Sequence, residues 1–129
     1  MRYLVDTVAL VRHFTRNPNI GRQARIVFRE IETSQDTIIV SVVSLMEILY
    51  LSEKERINVD LSNTLERIRY SSAYDIINLT PDILLIAKTV EFYELHDRLI
   101  LATAKYLDIP VISSDSRFSE IADIRTIWN

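Results

Sequence analysis

The chain has 129 residues, 48% of them hydrophobic, with no cysteine, one glycine, three prolines and a formal net charge of −3. That length and apolar content suit one domain with its own core, spanning residues 1–129, and exclude wholesale disorder; the acidic balance excludes a protein that coats nucleic acid through bulk charge. Disulfides, cysteine zinc sites, thiol catalysis, P-loops and GxGxxG turns are excluded too, and His13 and His96 stand too far apart for an HExxH pair.

In chain order, Tyr3-Leu4-Val5 forms a brief strand stopped by Asp6, and a helix runs through Val11 to Phe14 before the turn Asn17-Pro18-Asn19. Ile20 to Ile31 places Ile20, Ala24, Val27, Phe28 and Ile31 at helical spacing, with arginines 22, 25 and 29 on the other side. Thr37-Ile38-Ile39-Val40 is a continuous β-branched run, the mark of a strand covered on both faces. Helices are expected over Ser41–Lys54 and Asn58–Tyr70, a strand over Ile76–Leu79, and a helix from Thr80-Pro81-Asp82, where a cap residue, a proline and a first-turn acid follow one another. His96-Asp97 opens a further helix through Leu107; Pro110–Ser113 is a strand, Ser114-Asp115-Ser116 a turn, and Ile124–Ile127 a last short strand. Strands separated by helices imply βαβ units and a mostly parallel sheet between helical layers, with ligands beyond the carboxyl ends of the strands. Arg2 and Asp6 interrupt the start, so there is no signal-peptide core, and the longest uncharged run, Thr37 to Met46, is about half a membrane span. A soluble, cytoplasmic protein is expected.

Four acids occupy telling places. Asp6 follows the first strand and Asp115 the strand at 110–113, so in a parallel sheet both gather at one edge, which Glu47 and Asp97 can reach from their helices. Singly, each has a structural explanation: Asp6 and Asp97 as helix caps, Ser44-x-x-Glu47 as a capping box, Asp115 as turn chemistry. Together they repel, since two carboxylates ~5 Å apart at an effective dielectric of ~20 oppose each other by on the order of 3 kcal/mol. Such a group stays ionised only beside a cation, and hard oxygen ligands suit Mg²⁺ or Mn²⁺ acting on a phosphate.

The pattern Tyr3-Leu4-Val5-Asp6-Thr7, Ser44-x-x-Glu47, His96-Asp97-Arg98-Leu99-Ile100-Leu101-Ala102-Thr103-Ala104 and Ser113-x-Asp115-x-x-Phe118 resembles the PIN-domain family, and within it the VapC-type toxins of toxin–antitoxin pairs. The resemblance covers nearly the whole chain. It implies a three-layer α/β sandwich with a central, mostly parallel five-stranded sheet. It also implies an Mg²⁺- or Mn²⁺-dependent endoribonuclease whose metal-binding and catalytic acids fall on Asp6, Glu47, Asp97 and Asp115. Thr7, Ser44 and Ser113 would be hydroxyls that orient those ligands, and the products would be a 3′-hydroxyl and a 5′-phosphate. A cognate antitoxin and a homodimer are implied as partners. Val8 stands where the family often has a small polar residue, and Ser113 where threonine is commoner.

Residues 1–29 hold six arginines against the single acid Asp6. Arg12 and Arg16, four apart, are expected to share a helix face and steer an RNA backbone or meet an acidic partner. Arg98 and Arg117 neighbour two of the acids, to pair with them or to bind RNA. His13 and His96 are expected to be non-catalytic, and Phe92, Tyr93, Tyr106 and Trp128 to be core or interface. Two other readings stand beside the toxin: an RNA-processing PIN nuclease without an antitoxin, and an inert PIN-like module that binds protein.

Overall fold

A computed structural model describes residues 1–129. Its five strands are β1 (Arg2–Val5), β2 (Thr37–Ser41), β3 (Tyr74–Ile77), β4 (Val111–Ile112) and β5 (Thr126–Ile127). All neighbours pair parallel, in the spatial order β3-β2-β1-β4-β5. The helices are α1 (Thr7–Phe14), α2 (Arg22–Glu30), α3 (Val42–Glu53), α4 (Leu61–Arg69), α5 (Pro81–Ala87) and α6 (Leu95–Leu107), with a 3-10 turn at Ser116–Glu120. This is the three-layer α/β arrangement the sequence implied.

Covering the sheet on both faces explains the uninterrupted apolar strands. Tyr3, Val5, Ile38, Val40 and Ile112 point into one core with residues of α1, α2, α3 and α4, whereas Leu4, Ile39 and Val111 point into a second with α5 and α6. Burial of each Leu or Ile in these layers contributes roughly 1.5–3 kcal/mol. With β1 at the centre, the chain runs outward to β2 and β3 on one side and to β4 and β5 on the other. The order therefore reverses between β1 and β4, the place where an open α/β sheet leaves a crevice beyond its carboxyl ends.

Several boundaries differ from those expected, each for a local reason. α2 begins at Arg22 rather than Ile20, because Gly21 is its N-cap. α4 begins at Leu61 rather than Asn58, because the Asp60 carboxylate accepts from the Asn63 amide at 2.8 Å. α3 starts after Ser41, whose hydroxyl accepts from the Val43 amide at 3.0 Å, so Ser44 and Glu47 form no capping box. β3 lies at 74–77, not 76–79: buried Tyr74 pairs with Ile38, while apolar Ile76 is 37% exposed on this edge strand. β5 is shorter than 124–127, covering only Thr126 and Ile127.

Gly21 is fixed by a close approach. A Cβ there would stand 2.2 Å from the Trp128 carbonyl oxygen, and that oxygen accepts from the Ala24 amide at 3.1 Å, tying the segment after β5 to the start of α2. Backbone cannot retreat from such a contact without losing the hydrogen bond. Gly21→Ala should therefore destabilise the protein by about 1–3 kcal/mol in denaturant unfolding, with accelerated amide exchange at Ala24.

Candidate functional site

Asp6 leaves β1 at the reversal point. Its amide donates to the Ile112 carbonyl at 3.0 Å, continuing the β1–β4 ladder, and its carboxylate caps α1 by accepting from the Ala9 amide at 2.9 Å. The side chain is buried, and it also accepts a hydrogen bond from the Ser113 hydroxyl, which follows β4. Burial raises its pKa from 3.8 to about 6; the bonds from Ser113 and Ala9 oppose the rise, and the charges of Glu47 and Asp115 add to it.

Glu47 projects from the second turn of α3, half-buried. Thr7 Oγ1 lies 2.6 Å from Glu47 Oε1 and 2.9 Å from Ser44 Oγ. Thr7 has one hydroxyl proton, so it donates to the carboxylate and takes a bond from the freely rotating Ser44 hydroxyl. α1 and α3 are thus linked through the very residues that flank two of the acids.

Asp97 lies in the first turn of α6, which is capped by Glu94: Oε2 accepts from the Asp97 amide at 2.7 Å, while Oε1 meets His96 Nδ1 at 2.9 Å. Asp97 is not the cap. Partial burial raises its pKa to about 6, with the charges of Glu94, Asp6, Glu47 and Asp115 contributing. The four acids expected from the sequence therefore act on one another electrostatically.

Asp115 differs from the rest. Its carboxylate is gripped by Arg117, whose side-chain bonds hold its pKa below the usual range. No ion pair neutralises Asp6, Glu47 or Asp97. As placed, no three acidic or histidine side chains converge closely enough to ligate one ion together. The donor set nonetheless suits Mg²⁺ or Mn²⁺: it is all oxygen, its charges are mutually repulsive, and Mg²⁺ characteristically keeps several waters while using one or two carboxylates directly.

The arginines are placed unlike the sequence reading. α1 ends at Phe14 and Arg16 takes a left-handed conformation (φ 55°), so Arg12 and Arg16 share no helix face. Arg12 donates to the Asn19 carbonyl at 3.2 Å and lies 5.9 Å over the Trp128 ring. Arg98 Nε donates to the Ala87 carbonyl at 2.7 Å, tethering α6 to α5, and pairs with no carboxylate. His13 stacks on Phe28 at 4.0 Å and bonds the Tyr74 hydroxyl at 2.9 Å; burial, helped by the Arg67 charge, lowers its pKa to about 4, so it packs as a neutral, half-buried residue at the edge of the core. Sequence reasoning passed over a cleft of about 380 Å³ beside Glu47, lined by Met46, Tyr50, Leu51 and His96. Its signal was the run of large apolar residues around Glu47, too many for one buried face, which leaves Met46, Leu49 and Tyr50 exposed on α3.

The sequence matches the PIN domain family over residues 3–124. The chain belongs to that family. No curated protein sequence matches it. Among solved structures, this PIN domain is similar to VapBC2 from Rickettsia felis bound to a promoter DNA fragment (TM-score 0.75, 16% identity, 100% of each chain covered). It also resembles FitAcB from Neisseria gonorrhoeae (TM-score 0.67, 19% identity, 97% of this chain and 96% of that one). A third is Mycobacterium tuberculosis VapC20, described as a sarcin–ricin loop cleaving toxin (TM-score 0.64, 18% identity, 95% and 98% covered). No helix is long and apolar enough to cross a membrane.

The rise of the Asp6 pKa from 3.8 to about 6 penalises its ionised form by on the order of 3 kcal/mol. A carboxyl with a raised folded pKa stabilises fully below its unfolded value and loses that contribution as pH climbs through its folded value. Asp6→Asn, which keeps the cap, should therefore melt above the parent at pH 7 in chelator. The gap between the two should open as pH rises from about 4 to about 6 and stay constant beyond.

Proposed function

We propose that this PIN domain is a divalent-metal-dependent endoribonuclease, the toxin of a toxin–antitoxin pair acting in the cytoplasm. The observation that carries the reading is the mutual charge of Asp6, Glu47 and Asp97 at the β1–β4 crevice, with the Asp6 carboxylate buried and none of the three in an ion pair. Buried like charges are costly unless a ligand neutralises them. That cost argues against an inert protein-binding module.

Asp6, Glu47 and Asp97 would hold the ion together with its waters, one or two of the carboxylates directly and the rest through water. When bound, it lowers the pKa of a water and stabilises charge on the scissile phosphate. The reaction adds water across a phosphodiester: the water oxygen bonds to phosphorus, the P–O3′ bond breaks, and the 3′ oxygen takes a proton, leaving a 3′-hydroxyl and a 5′-phosphate. The chain's own residues orient the ligands. Ser113 and the Ala9 amide fix one carboxylate, and Thr7, backed by Ser44, fixes another. Arg12, Arg16 and Arg98 are weaker candidates for RNA contact, two of them being committed to backbone carbonyls.

The structural similarity to VapBC2, FitAcB and VapC20 supports an antitoxin partner, and with it the toxin rather than the RNA-processing reading. The exposed Met46, Leu49 and Tyr50 on α3 support association, including the homodimer. Expression alone should arrest growth.

With Mg²⁺ or Mn²⁺, purified protein should cleave RNA, and Asp6→Asn should lose that cleavage by a hundredfold or more while remaining folded. Parental cleavage by Asp6→Asn overturns the assignment. Thr7→Val, which leaves Glu47 without its donor, should lower turnover by roughly 10–100-fold in the same assay.

A further inference from the structure

Asp115 has a partner for which a four-acid metal site has no use. Arg117 lays its guanidinium along that carboxylate, with Nε 3.0 Å from Oδ1 and Nη2 2.6 Å from Oδ2, and its backbone amide donates to Oδ1 at 3.0 Å as well. Both carboxylate oxygens are engaged in a two-pronged, charge-assisted pair. The same guanidinium lies 5.1 Å over the Phe92 ring, and Phe92 stands edge-on at 5.3 Å to Phe118, which is fully buried. One anion and one aromatic face therefore hold the group from two sides.

An exposed ion pair of this kind stabilises a fold by very little. The arrangement makes better sense as presentation. The Arg117 side chain is 64% exposed, and the edge formed by Nη1 and the outer hydrogen of Nη2 bonds to nothing in the protein. A planar guanidinium already fixed along one edge offers its second edge to a phosphate with little orientational entropy left to lose. The group is also next to the acids: the Ser113 hydroxyl, which donates to Asp6, accepts from the Asp115 amide at 3.0 Å.

We propose that Asp115 is a positioning residue for Arg117 rather than a ligand of the divalent ion, and that the outward edge of Arg117 binds an RNA phosphate beside the scissile one. The proposal rests on the ribonuclease reading above. The acids then have separate roles. Asp6, Glu47 and Asp97 face the ion, and Asp115 aims a cation at the substrate.

The test measures two affinities separately. Mn²⁺ binding is titrated calorimetrically, and binding of a fluorescein-labelled single-stranded RNA decamer in Ca²⁺ is followed by anisotropy. The proteins compared are the parent, Asp115→Asn, Arg117→Gln, Arg117→Lys and the double variant D115N/R117Q. Asparagine preserves the turn-forming side chain at 115, and position 117 is exposed, so the arginine variants carry the test even where Asp115→Asn folds poorly. Asp115→Asn and Arg117→Gln should each weaken RNA binding by roughly five- to tenfold. Arg117→Gln should also reduce the slope of log affinity against log salt by about 0.7. The double variant should be no weaker than either single one, Arg117→Lys should recover part of the loss, and Mn²⁺ affinity should stay within about twofold throughout. A tenfold loss of Mn²⁺ affinity in Asp115→Asn, or unchanged RNA binding in Arg117→Gln, overturns the proposal. A parent protein that binds the decamer yet never cuts RNA ends the ribonuclease reading alone, and the affinity comparisons still decide the roles of Asp115 and Arg117.

Discussion

The hydrogen bond from the Asp6 amide to the Ile112 carbonyl is the contact on which the site depends. It extends the central pairing of the sheet by one residue and thereby holds a carboxylate at the inner end of the crevice, where water is scarce. Because β1 is flanked on both sides and covered on both faces, Asp6 has nowhere to retreat. Its charge is tolerated only through two hydrogen bonds, from Ser113 and Ala9, which reduce the penalty without removing it. The fold is thus locally less stable at this residue, as functional sites commonly are.

Around this residue the remaining groups are arranged by the same topology. β2 and β4 flank β1 on opposite sides, which brings α1 and α3, with the start of α6 beside α3, to one side of the crevice and the loop after β4 to the other. Thr7 joins α1 to Glu47 across the first side, while Ser113 joins Asp6 to the Asp115 loop across the second. Hydroxyls suit such positions because each can accept and donate at once, so a single small side chain fixes an acid and is itself fixed. The cationic end of the site lies at its rim, where Arg117 rests on Phe92.

Much of this was legible in the residues. The continuous run Thr37–Val40 announced a strand covered on both faces, and Thr80-Pro81-Asp82 announced a helix start, because both patterns are set by local sterics and hydrogen bonding. The placement of Asp6 and Asp115 after strands followed from parallel topology. What escaped was decided by distant contacts. β3 is shifted by two residues because Tyr74 packs with His13 and Phe14, from a helix some sixty positions away, and no local pattern encodes that. Arg16 failed to join Arg12 because α1 ends at Phe14, two residues short of it, and Arg16 itself turns left-handed. The pairing of Arg117 with Asp115, by contrast, was open to inference as one of two roles, since residues two apart in a turn are natural partners.

The central strand also sets the order in which the crevice can come into being. β1 comprises residues 2–5 and its partner β4 residues 111–112, so the crevice joins segments separated by most of the chain. During synthesis, Asp6 and Glu47 leave the ribosome well before the segment that completes their surroundings, and until Ser113 emerges Asp6 lacks one of its two donors. Nascent chains too short to include β4 therefore carry three of the four acids without the wall that gathers them. Whatever chemistry this crevice performs is withheld until the β4 segment has been made.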